Sequence, residues 1–459
     1  MSATPFHVIK DPVHGTMQFT SIEDAWVKPF IDSPHFQRLR HIKQLGLGDL
    51  IFPGAMHSRF NHSLGCCYVG SQIAHKIGLA DEERQLVMIA CLLHDVGHGP
   101  FSHAFEGIFQ DKSIRHERWT PYFLKDYGTS EFFHAYNKTN PRYHLTEEKF
   151  QLIADMIMHK PVAKRVLADI VSSQLDADRL DYLLRDSHFC GVQYGEFDFR
   201  WMLHCLAIVN ANDGERLGIT HKGIGVVEHY LMARRLMTRN IYHSLKKLAI
   251  EQYLVELLAN LSESLAQDEA FKKIKHTRLG EFLLAASDYN GAVQASPDKR
   301  ANLRNAFLET HYPTYKELCD YDVFSVIKQL SEMCHEHPSV QIATRVQRRI
   351  MPKMLAFDYT NLKTVSDELH SFKVKHHQHY QDWQLRLIET PHQAYSGEAD
   401  PILVVGNQAD IRPISDYSIM IDALSDRLEH VAFLAIDKPI AEDKAIGQLI
   451  THLQKLAIS

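Results

Sequence analysis

One stretch of the chain indicates both an architecture and a chemistry: Leu86-Val-Met-Ile-Ala-Cys-Leu-Leu-His-Asp-Val-Gly-His-Gly-Pro100. Its first eight residues are apolar and suit a buried helix, which Gly97 and the residues after it then end. His94 and Asp95 therefore lie at the carboxyl end of that helix. An acidic side chain in this position opposes the helix dipole, so its presence calls for a compensating cation.

Histidines are concentrated around this stretch. Seven of the 30 histidines fall within sixty residues, namely His57, His62, His75, His94, His98, His103 and His116. A His-Asp pair alone carries little weight, because it arises by chance and a buried His bonded to its neighbour is commoner than a metal ligand. Packing alone does not explain clustering of this density. Imidazole and carboxylate ligands together suit divalent ions, and a catalytic ion also needs open coordination positions.

The composition and the apolar periodicity predict two lobes. The chain has 459 residues, 45% of them hydrophobic and 23% charged, which is typical of a folded globular protein. Turn-forming pairs before about residue 20 predict a small hairpin, and apolar spacing of three and four from about residue 22 to 309 predicts helices. Runs at 401–405, 418–421 and 431–436 predict strands. We therefore predict a mainly α protein, with a helical domain over residues 1–315 and a smaller α+β lobe over residues 316–459.

Charge and cysteine content exclude several classes of protein. The net charge of -6 gives no overall attraction to nucleic acid or to anionic membranes, so we expect no extended nucleic-acid binding. Seven cysteines, an odd number without CxxC spacing, fit a reducing compartment, which we take to be the cytoplasm. The first residues lack the pattern of a signal peptide, and no apolar run approaches the roughly 20 residues that span a bilayer. The sequence predicts neither secretion nor membrane insertion.

Four sequence segments resemble the deoxynucleoside triphosphate triphosphohydrolases of the HD phosphohydrolase superfamily. They are Phe36–Gly46, Phe52–Gly65, Leu93–His103 and Asp176–Asp186, and the resemblance extends over roughly the first 250 residues. Agreement over four such segments is far more specific than a His-Asp pair. The resemblance implies a helical HD-domain core, with the motifs between about residues 50 and 190.

The resemblance assigns the metal ligands and the groups that handle protons. The implied metal ligands are His62, His94, Asp95 and Asp178, and the implied catalytic residues are His103, Glu106, His98 and His116. A departing deoxynucleoside oxygen needs a positioned acid at neutral pH, which suits His103. Glu106 stands where the animal enzyme has Asp. The ion stays open among iron, manganese, nickel, zinc and magnesium, and a further magnesium ion could accompany the nucleotide.

The resemblance also implies a substrate site. Its residues are Arg59, Arg179 and Arg234 for the triphosphate, Gln44 and Asp186 for the sugar 3′-hydroxyl, Leu45 and Tyr242 to exclude ribose, and Tyr182 beside them. Guanidinium groups suit phosphate because they donate two hydrogen bonds in a fork. Without the motif context, these arginines would pass as surface residues and the tyrosines as core aromatics.

An activating nucleotide and an oligomer are implied as well. Asp32, Gln37 and Arg40 match an allosteric site of the family that binds GTP, dGTP or another deoxynucleotide between subunits, which makes a homotetramer the expected assembly. His7 stands where the animal enzyme has a phosphate-binding Lys, a departure that leaves the activator open.

Taken together, the residues and the resemblance predict hydrolysis of deoxynucleoside triphosphates to deoxynucleoside and inorganic triphosphate. Two alternatives stay open at this point. An HD phosphohydrolase could act on ribonucleotides, guanosine polyphosphates or phosphodiesters, because a metal site does not choose among phosphoryl substrates. A non-catalytic nucleotide sensor or single-stranded nucleic-acid binder is the second alternative.

Overall fold

The computed structural model describes residues 8–357, 359–406 and 410–456. Helices account for most of the described chain. They are α1 Ser21–Ile31, α2 Pro34–Arg38, α3 Arg59–Lys76, α4 Asp81–Leu93, α5 His103–Glu106, α6 His116–Tyr127, α7 Ser130–Thr139, α8 Glu147–Ile157, α9 Arg165–Val171, α10 Ala177–Cys190, α11 Phe199–Cys205, α12 Ile224–Met237, α13 Leu245–Ser264, α14 Lys272–Lys275, α15 Arg278–Ala295, α16 Arg300–Tyr315, α17 Asp320–Ser331, α18 Pro338–Gln347, α19 Leu362–Lys375, α20 Ile419–Leu424 and α21 Lys444–Leu453. A π-helical turn, Thr238–Tyr242, extends α12.

The strands form three small sheets. Their bounds are β1 Val8–Asp11, β2 Gly15–Gln18, β3 Leu206–Ala211, β4 Gly214–Thr220, β5 Lys353–Phe357, β6 Leu385–Gln393, β7 Leu403–Val405, β8 Ile411–Pro413 and β9 Leu428–Ile436. Strands β1 and β2 make the amino-terminal hairpin, and a four-stranded sheet has the order β3-β4-β7-β8. The third sheet, β5-β9-β6, is antiparallel throughout.

Helix α3 packs against both α4 and α10, which brings the motif residues together. Helix α4 is almost wholly buried from Gln85 to Leu93 and ends just before the His-Asp pair. Helices α3 and α10 approach closely at Gly65, where a Cβ would lie 1.9 Å from Asp181 Oδ1. Only glycine fits such an approach, because any side chain would overlap the neighbouring helix. Helix α10 begins at an Asp176 cap and ends at Gly191 in the left-handed conformation.

The buried apolar residues of the helices form two cores. The first lies among α1, α3, α4, α8, α9, α10 and α12. The second lies among α5, α6, α13 and α15 to α18. The apolar face of β5, β6 and β9 packs against α19 and α21 in a separate small core. Among the described residues, none of the helices has both the length and the hydrophobicity that a membrane-spanning segment needs.

The mainly α fold with a smaller α+β lobe is confirmed, as are the amino-terminal hairpin and the strands at 401–405 and 431–436. The strand predicted at 418–421 is wrong. Ser418 instead caps the short helix α20 by accepting a hydrogen bond from the Ile421 backbone, and a run of three apolar residues does not distinguish the two structures. The helical segment also contains a hairpin, β3 and β4, that the periodicity missed. The domain boundary at residue 315 stays a prediction. Strands β3 and β4 before it and strands β7 and β8 after it belong to one sheet.

Candidate metal centre and active site

Three of the four side chains expected to bind metal, His62, His94 and Asp178, converge on one point between α3, α4 and α10. His62 Nε2 lies 3.0 Å from Asp178 Oδ1, and His94 Nε2 lies 3.6 Å from the same oxygen. Asp95 lies beside this group, with Oδ1 3.5 Å from His94 Nε2 and Oδ2 3.9 Å from His62 Nε2. Ligand atoms held at about 2.1 Å by a shared ion lie about 3 to 4 Å from one another. The spacing therefore suits a divalent ion.

Hydrogen bonds on the far side of each ring orient the two histidines. His94 Nδ1 lies 2.8 Å from the Cys91 carbonyl oxygen, so it donates there and leaves Nε2 with a free lone pair. His62 Nδ1 likewise lies 2.8 Å from Asp181 Oδ2. His94 Nε2 is buried and has no hydrogen-bond partner among the described residues. A buried acceptor of this kind is costly unless it is satisfied, which a bound metal would do.

The charges of the cluster fit the same interpretation. Burial opposes a charge on His62, but hydrogen bonds with Asp178 and Asp181 outweigh burial and raise its pKa to about 10. Burial would raise the pKa of Asp178, yet His62 and His94 lower it below its usual range. A proton on His62 thus balances the carboxylates when no metal is bound. A divalent ion would replace that proton.

A cysteine borders the same group. Cys66 Sγ lies 3.4 Å from His62 Nε2, and one ligand atom from each of His62, Cys66, His94 and Asp178 falls within 4.8 Å of the others. Burial raises the pKa of the Cys66 thiol well above its usual value, so the thiol stays protonated unless a metal displaces the proton.

Next to the metal group, three histidines surround Glu106. The rings of His98 and His116 stack with centroids 3.7 Å apart. Glu106 Oε1 accepts hydrogen bonds from the backbone and from Nδ1 of His116, and Oε2 lies 3.4 Å from His103 Nδ1. Burial raises the pKa of Glu106, but its bonds with His103 and His116 outweigh burial and lower it below its usual range. A charged Glu106 therefore holds both rings.

The side chain of His103 is far more exposed than those of His116 and Glu106. Its side chain is 72% exposed, which places it at the mouth of the site. The two residues before it, Phe101 and Ser102, have φ values of 51° and 53°. Non-glycine residues in that region are strained, and such strain persists only where the surrounding structure holds it. The strained loop aims His103 beside His98.

The arginines expected to contact phosphate are held by carboxylates and a side-chain amide. Arg59 forms an ion pair with Asp95 and donates through Nε to Ser102 Oγ at 2.9 Å. Arg179 forms an ion pair with Asp176 at the cap of α10. Arg234 Nη1 donates to Gln174 Oε1 at 2.7 Å, so Arg179 and Arg234 both reach the loop at residues 173–176.

The residues expected to contact the sugar form a second hydrogen-bonded group. Asp186 accepts a hydrogen bond from Tyr242 Oη at 2.8 Å and lies 2.7 Å from His57 Nε2. The rings of Tyr182 and Tyr242 meet edge to face at 5.9 Å. Gln44 joins the group through its backbone N–H, which donates to the His57 carbonyl. Its neighbour in sequence, Leu45, is 7% exposed.

A cavity of about 140 Å³ adjoins the metal group. Its lining includes His94, Asp95 and Asp178, His116 and other residues of α6, and residues 157–159, 171 and 172. This volume is below that of pockets enclosing a whole drug-sized ligand. The cavity therefore has room for only part of such a ligand.

The side chains expected to bind an activator lie apart from this cavity. Asp32 pairs with Lys28, and Arg40 Nε donates to Gln37 Oε1 at 2.7 Å. The Arg40 guanidinium also lies 3.5 Å from the centroid of the Phe60 ring, next to Arg59 in sequence. These three roles stay predictions, and His7 lies outside the described residues.

Sequence reasoning missed several supporting residues. The carboxylate of Asp181 accepts from His62, His14 and Arg185, with Oδ1 2.7 Å from His14 Nε2. Arg185 also pairs with Asp11 of β1 at 2.8 Å. Helical spacing could have revealed Asp181, because it lies three residues after Asp178 on one face of α10. The hairpin residues carry no such signal.

Comparison with known proteins defines the class. A family model described as HD domain matches residues 59–186, which contain α3, α4 and most of α10. Residues 59–186 therefore match the HD domain, and the fold is that of HD-domain phosphohydrolases. A phosphohydrolase from Bacteroides thetaiotaomicron is similar over 95% of this chain and 100% of its own, with a TM-score of 0.71 and 27% identity. A hypothetical protein from Aquifex aeolicus has a TM-score of 0.70 at 25% identity, over 97% of this chain and 100% of its own.

Two curated proteins are similar to this chain in sequence over about half of its length. An uncharacterized protein of Bacillus subtilis, YwfO, is 37% identical over 256 residues, 55% of each chain. The human deoxynucleoside triphosphate triphosphohydrolase SAMHD1 is 33% identical over 267 residues, 51% of this chain and 41% of its own. The chain thus spans about half the length of the curated relatives it matches. The expected relationship to triphosphohydrolases of the HD class is confirmed.

Proposed function

We propose that the protein is a metal-dependent hydrolase that converts deoxynucleoside triphosphates to deoxynucleosides and inorganic triphosphate. The observation that carries the proposal is the contact between a metal-suited cluster and a proton-transfer cluster. Asp95 Oδ1 lies 3.5 Å from His94 Nε2 in the first and 3.3 Å from His98 Nε2 in the second. Homology to a human triphosphohydrolase over about half of the chain supports the same substrate class.

The metal would be held by His62, His94, Asp95 and Asp178. A divalent ion there would supply Lewis acidity, which lowers the pKa of water and polarises a phosphoryl oxygen. Because imidazole and carboxylate donors suit several ions, iron, manganese, nickel, zinc and magnesium are all candidates.

The chain's own side chains carry the proton transfer. Water adds to the α-phosphorus, and the bond from that phosphorus to the 5′ oxygen breaks. His103, held by Glu106, donates a proton to the departing 5′ oxygen, and the attacking water gives up its own proton to solvent. His98 and His116 lie beside His103 and contact the α-phosphate. A positioned acid of this kind contributes about 100- to 10,000-fold to the rate.

Arginines and a polar pocket select the substrate. The charge of the triphosphate is neutralised by Arg59, Arg179 and Arg234. To contact the phosphates, Arg59 and Arg179 exchange their present carboxylate partners for phosphate oxygens. Asp186 and Gln44 bind the 3′-hydroxyl. Leu45 and Tyr242 exclude a 2′-hydroxyl, and Tyr182 packs beside Tyr242 on the same pocket wall.

We propose regulation by a nucleotide as well. GTP, dGTP or another deoxynucleotide would bind at Asp32, Gln37 and Arg40 and favour a homotetramer. Arg40 contacts Phe60, so a ligand there would act close to Arg59. Light scattering with and without each nucleotide tests the assembly, and a monomer under all conditions would exclude it.

One assay tests the reaction. The four deoxynucleotides, singly and mixed, are incubated with the protein and each candidate metal, and the products are separated by anion exchange. Intact triphosphate with the deoxynucleoside is expected, and activity restricted to mixtures would reveal the activator. Release of orthophosphate or pyrophosphate would favour another HD phosphohydrolase activity.

Two variants test the assigned roles. Asp178→Ala should lose the bound metal, and His103→Ala should lose hydrolysis while keeping the metal.

A further inference from the structure

The amino end of α17 lies against two loops of the candidate active site. Asp320, the first residue of this helix, is 2% exposed. Its Oδ1 accepts a hydrogen bond from the Phe101 backbone N–H at 2.8 Å, and its Oδ2 accepts one from the Lys43 backbone N–H at 2.9 Å. One buried carboxylate thereby joins backbone positions that are 58 residues apart in the sequence.

The loops so joined carry different parts of the proposed site. Lys43 directly precedes Gln44 and Leu45, the residues proposed to contact the sugar. Phe101 directly precedes Ser102 and His103, the proposed acid. The distance between sugar and acid therefore depends on what holds these two loops.

A second residue of α17 contacts the same pair. Phe324, one helical turn after Asp320, meets the Phe101 ring edge to face at 5.1 Å. The Lys43 ammonium lies 5.1 Å from the centroid of the same Phe324 ring. Residues four apart share one face of a helix, so α17 presents one face to both loops.

The loop at Phe101 needs such support. Phe101 and Ser102 both adopt positive φ values, which are strained for residues with a side chain. Ser102 Oγ accepts from Arg59 Nε at 2.9 Å. The Asp320 carboxylate fixes the backbone N–H at the start of this strained pair, and a carboxylate accepting two N–H donors is a strong tether.

We infer that Asp320 is a positioning residue that sets the spacing between the sugar-reading loop and the loop that bears the proton donor. The inference rests on the proposed function. It assigns a role to the segment after the helical HD core, about 140 residues beyond Asp178 in the sequence. A misplacement of about 1 Å at a reacting group costs up to about 100-fold in rate.

Asp320→Asn tests the inference, with Asp322→Asn as its matched control. Asparagine keeps the shape of the side chain but turns an N–H₂ group toward one of the two backbone donors, so one tether is lost. Asp322 lies in the same helical turn, where its carboxylate accepts a hydrogen bond from the Cys319 backbone N–H at 2.8 Å. Two readouts are compared: amide hydrogen exchange of peptides covering 42–46 and 99–104, and the ratio of kcat/KM for a deoxynucleotide to that for its ribonucleotide.

Asp320→Asn should speed exchange in at least one of those peptides. It should also lower kcat or the deoxy-to-ribo ratio by about 10- to 100-fold at wild-type metal content, whereas Asp322→Asn should change neither. Because both substrates are assayed on one preparation, a loss of folded protein does not move the ratio. A wild-type kcat and a wild-type deoxy-to-ribo ratio in Asp320→Asn would overturn this inference and leave the proposed function standing. Inactivity of the wild type on every deoxynucleotide would overturn the proposed function and the inference with it.

Discussion

Asp181 lies behind His62, with its Oδ2 2.8 Å from His62 Nδ1, and this pairing directs the opposite ring nitrogen of His62 into the candidate metal centre. Burial would raise the pKa of Asp181, but Arg185 and His14 lower it well below its usual range. The carboxylate is therefore charged and can only accept. Nδ1 of His62 must donate, which leaves Nε2 to face the metal.

Asp181→Asn should weaken metal binding about 10- to 100-fold, because loss of an outer partner of a ligating histidine costs that much. Equilibrium dialysis followed by elemental analysis measures the affinity. Asp169→Asn is the control, since Asp169 is also a buried carboxylate paired with an arginine, Arg216, but lies outside the centre. Wild-type affinity in Asp181→Asn would show that Asp181 does not orient His62.

The sequence predicted much of the centre because its members lie in short, characteristic segments. His94 and Asp95 are adjacent, and Arg59 and His62 share one turn of α3. The residues that support His62 from behind are not predicted by the sequence. His14 lies 167 residues from Asp181, and only the folded hairpin brings the two together. Non-local contacts of this kind leave no pattern in one sequence.

The errors in secondary structure also have physical reasons. The sequence pattern predicts helix where the β3–β4 hairpin lies, because apolar spacing of three and four continues on both sides of it. Asp213-Gly214, between two β-prone runs, is the local signal of the turn. The run at 418–421 predicts a strand where the chain forms α20, because three apolar residues are too few to show a helical period.

Gly65→Ala should destabilise the protein by about 3 kcal/mol, the upper end of the cost of overpacking. The new Cβ would lie 1.9 Å from Asp181 Oδ1 and 2.4 Å from Arg185 Nη2, so α3 and α10 must move apart. Urea unfolding of the metal-free protein measures the change. Gly291→Ala is the control, since a Cβ in that part of α15 meets nothing within 4 Å, and it should stabilise the fold by about 0.5 to 1 kcal/mol. Equal midpoints for the two variants would contradict the close packing.

Glu106→Gln should lower kcat about 100- to 10,000-fold while metal content stays unchanged. The amide cannot accept from both His103 and His116 with charged oxygens, so the proton donor loses its support. Steady-state kinetics with parallel metal analysis gives the result. Glu117→Gln serves as the control, because Glu117 also lies near His116 Nδ1, at 3.5 Å, but is 50% exposed. A similar loss in both variants would assign the effect to general charge around His116.

Metal binding should release at least one proton per ion near pH 7.5, because the proton that His62 carries in the metal-free protein must leave before Nε2 can bind a metal. The pKa of His62 is raised from 6.5 to about 10. A raised pKa stabilises the folded metal-free protein fully below the unfolded value, and this stability is lost as pH rises through about 10. The metal-free protein should therefore become easier to unfold with urea between about pH 7 and 10, while the metal-loaded protein should not show this His62-dependent loss.

Calorimetric titration in two buffers of different ionisation enthalpy counts the protons that metal binding releases. His75→Gln, which alters another histidine of α3 paired with Glu23, should leave the count unchanged. Binding without proton release would mean that His62 is already neutral and that the carboxylates around it are balanced by another charge.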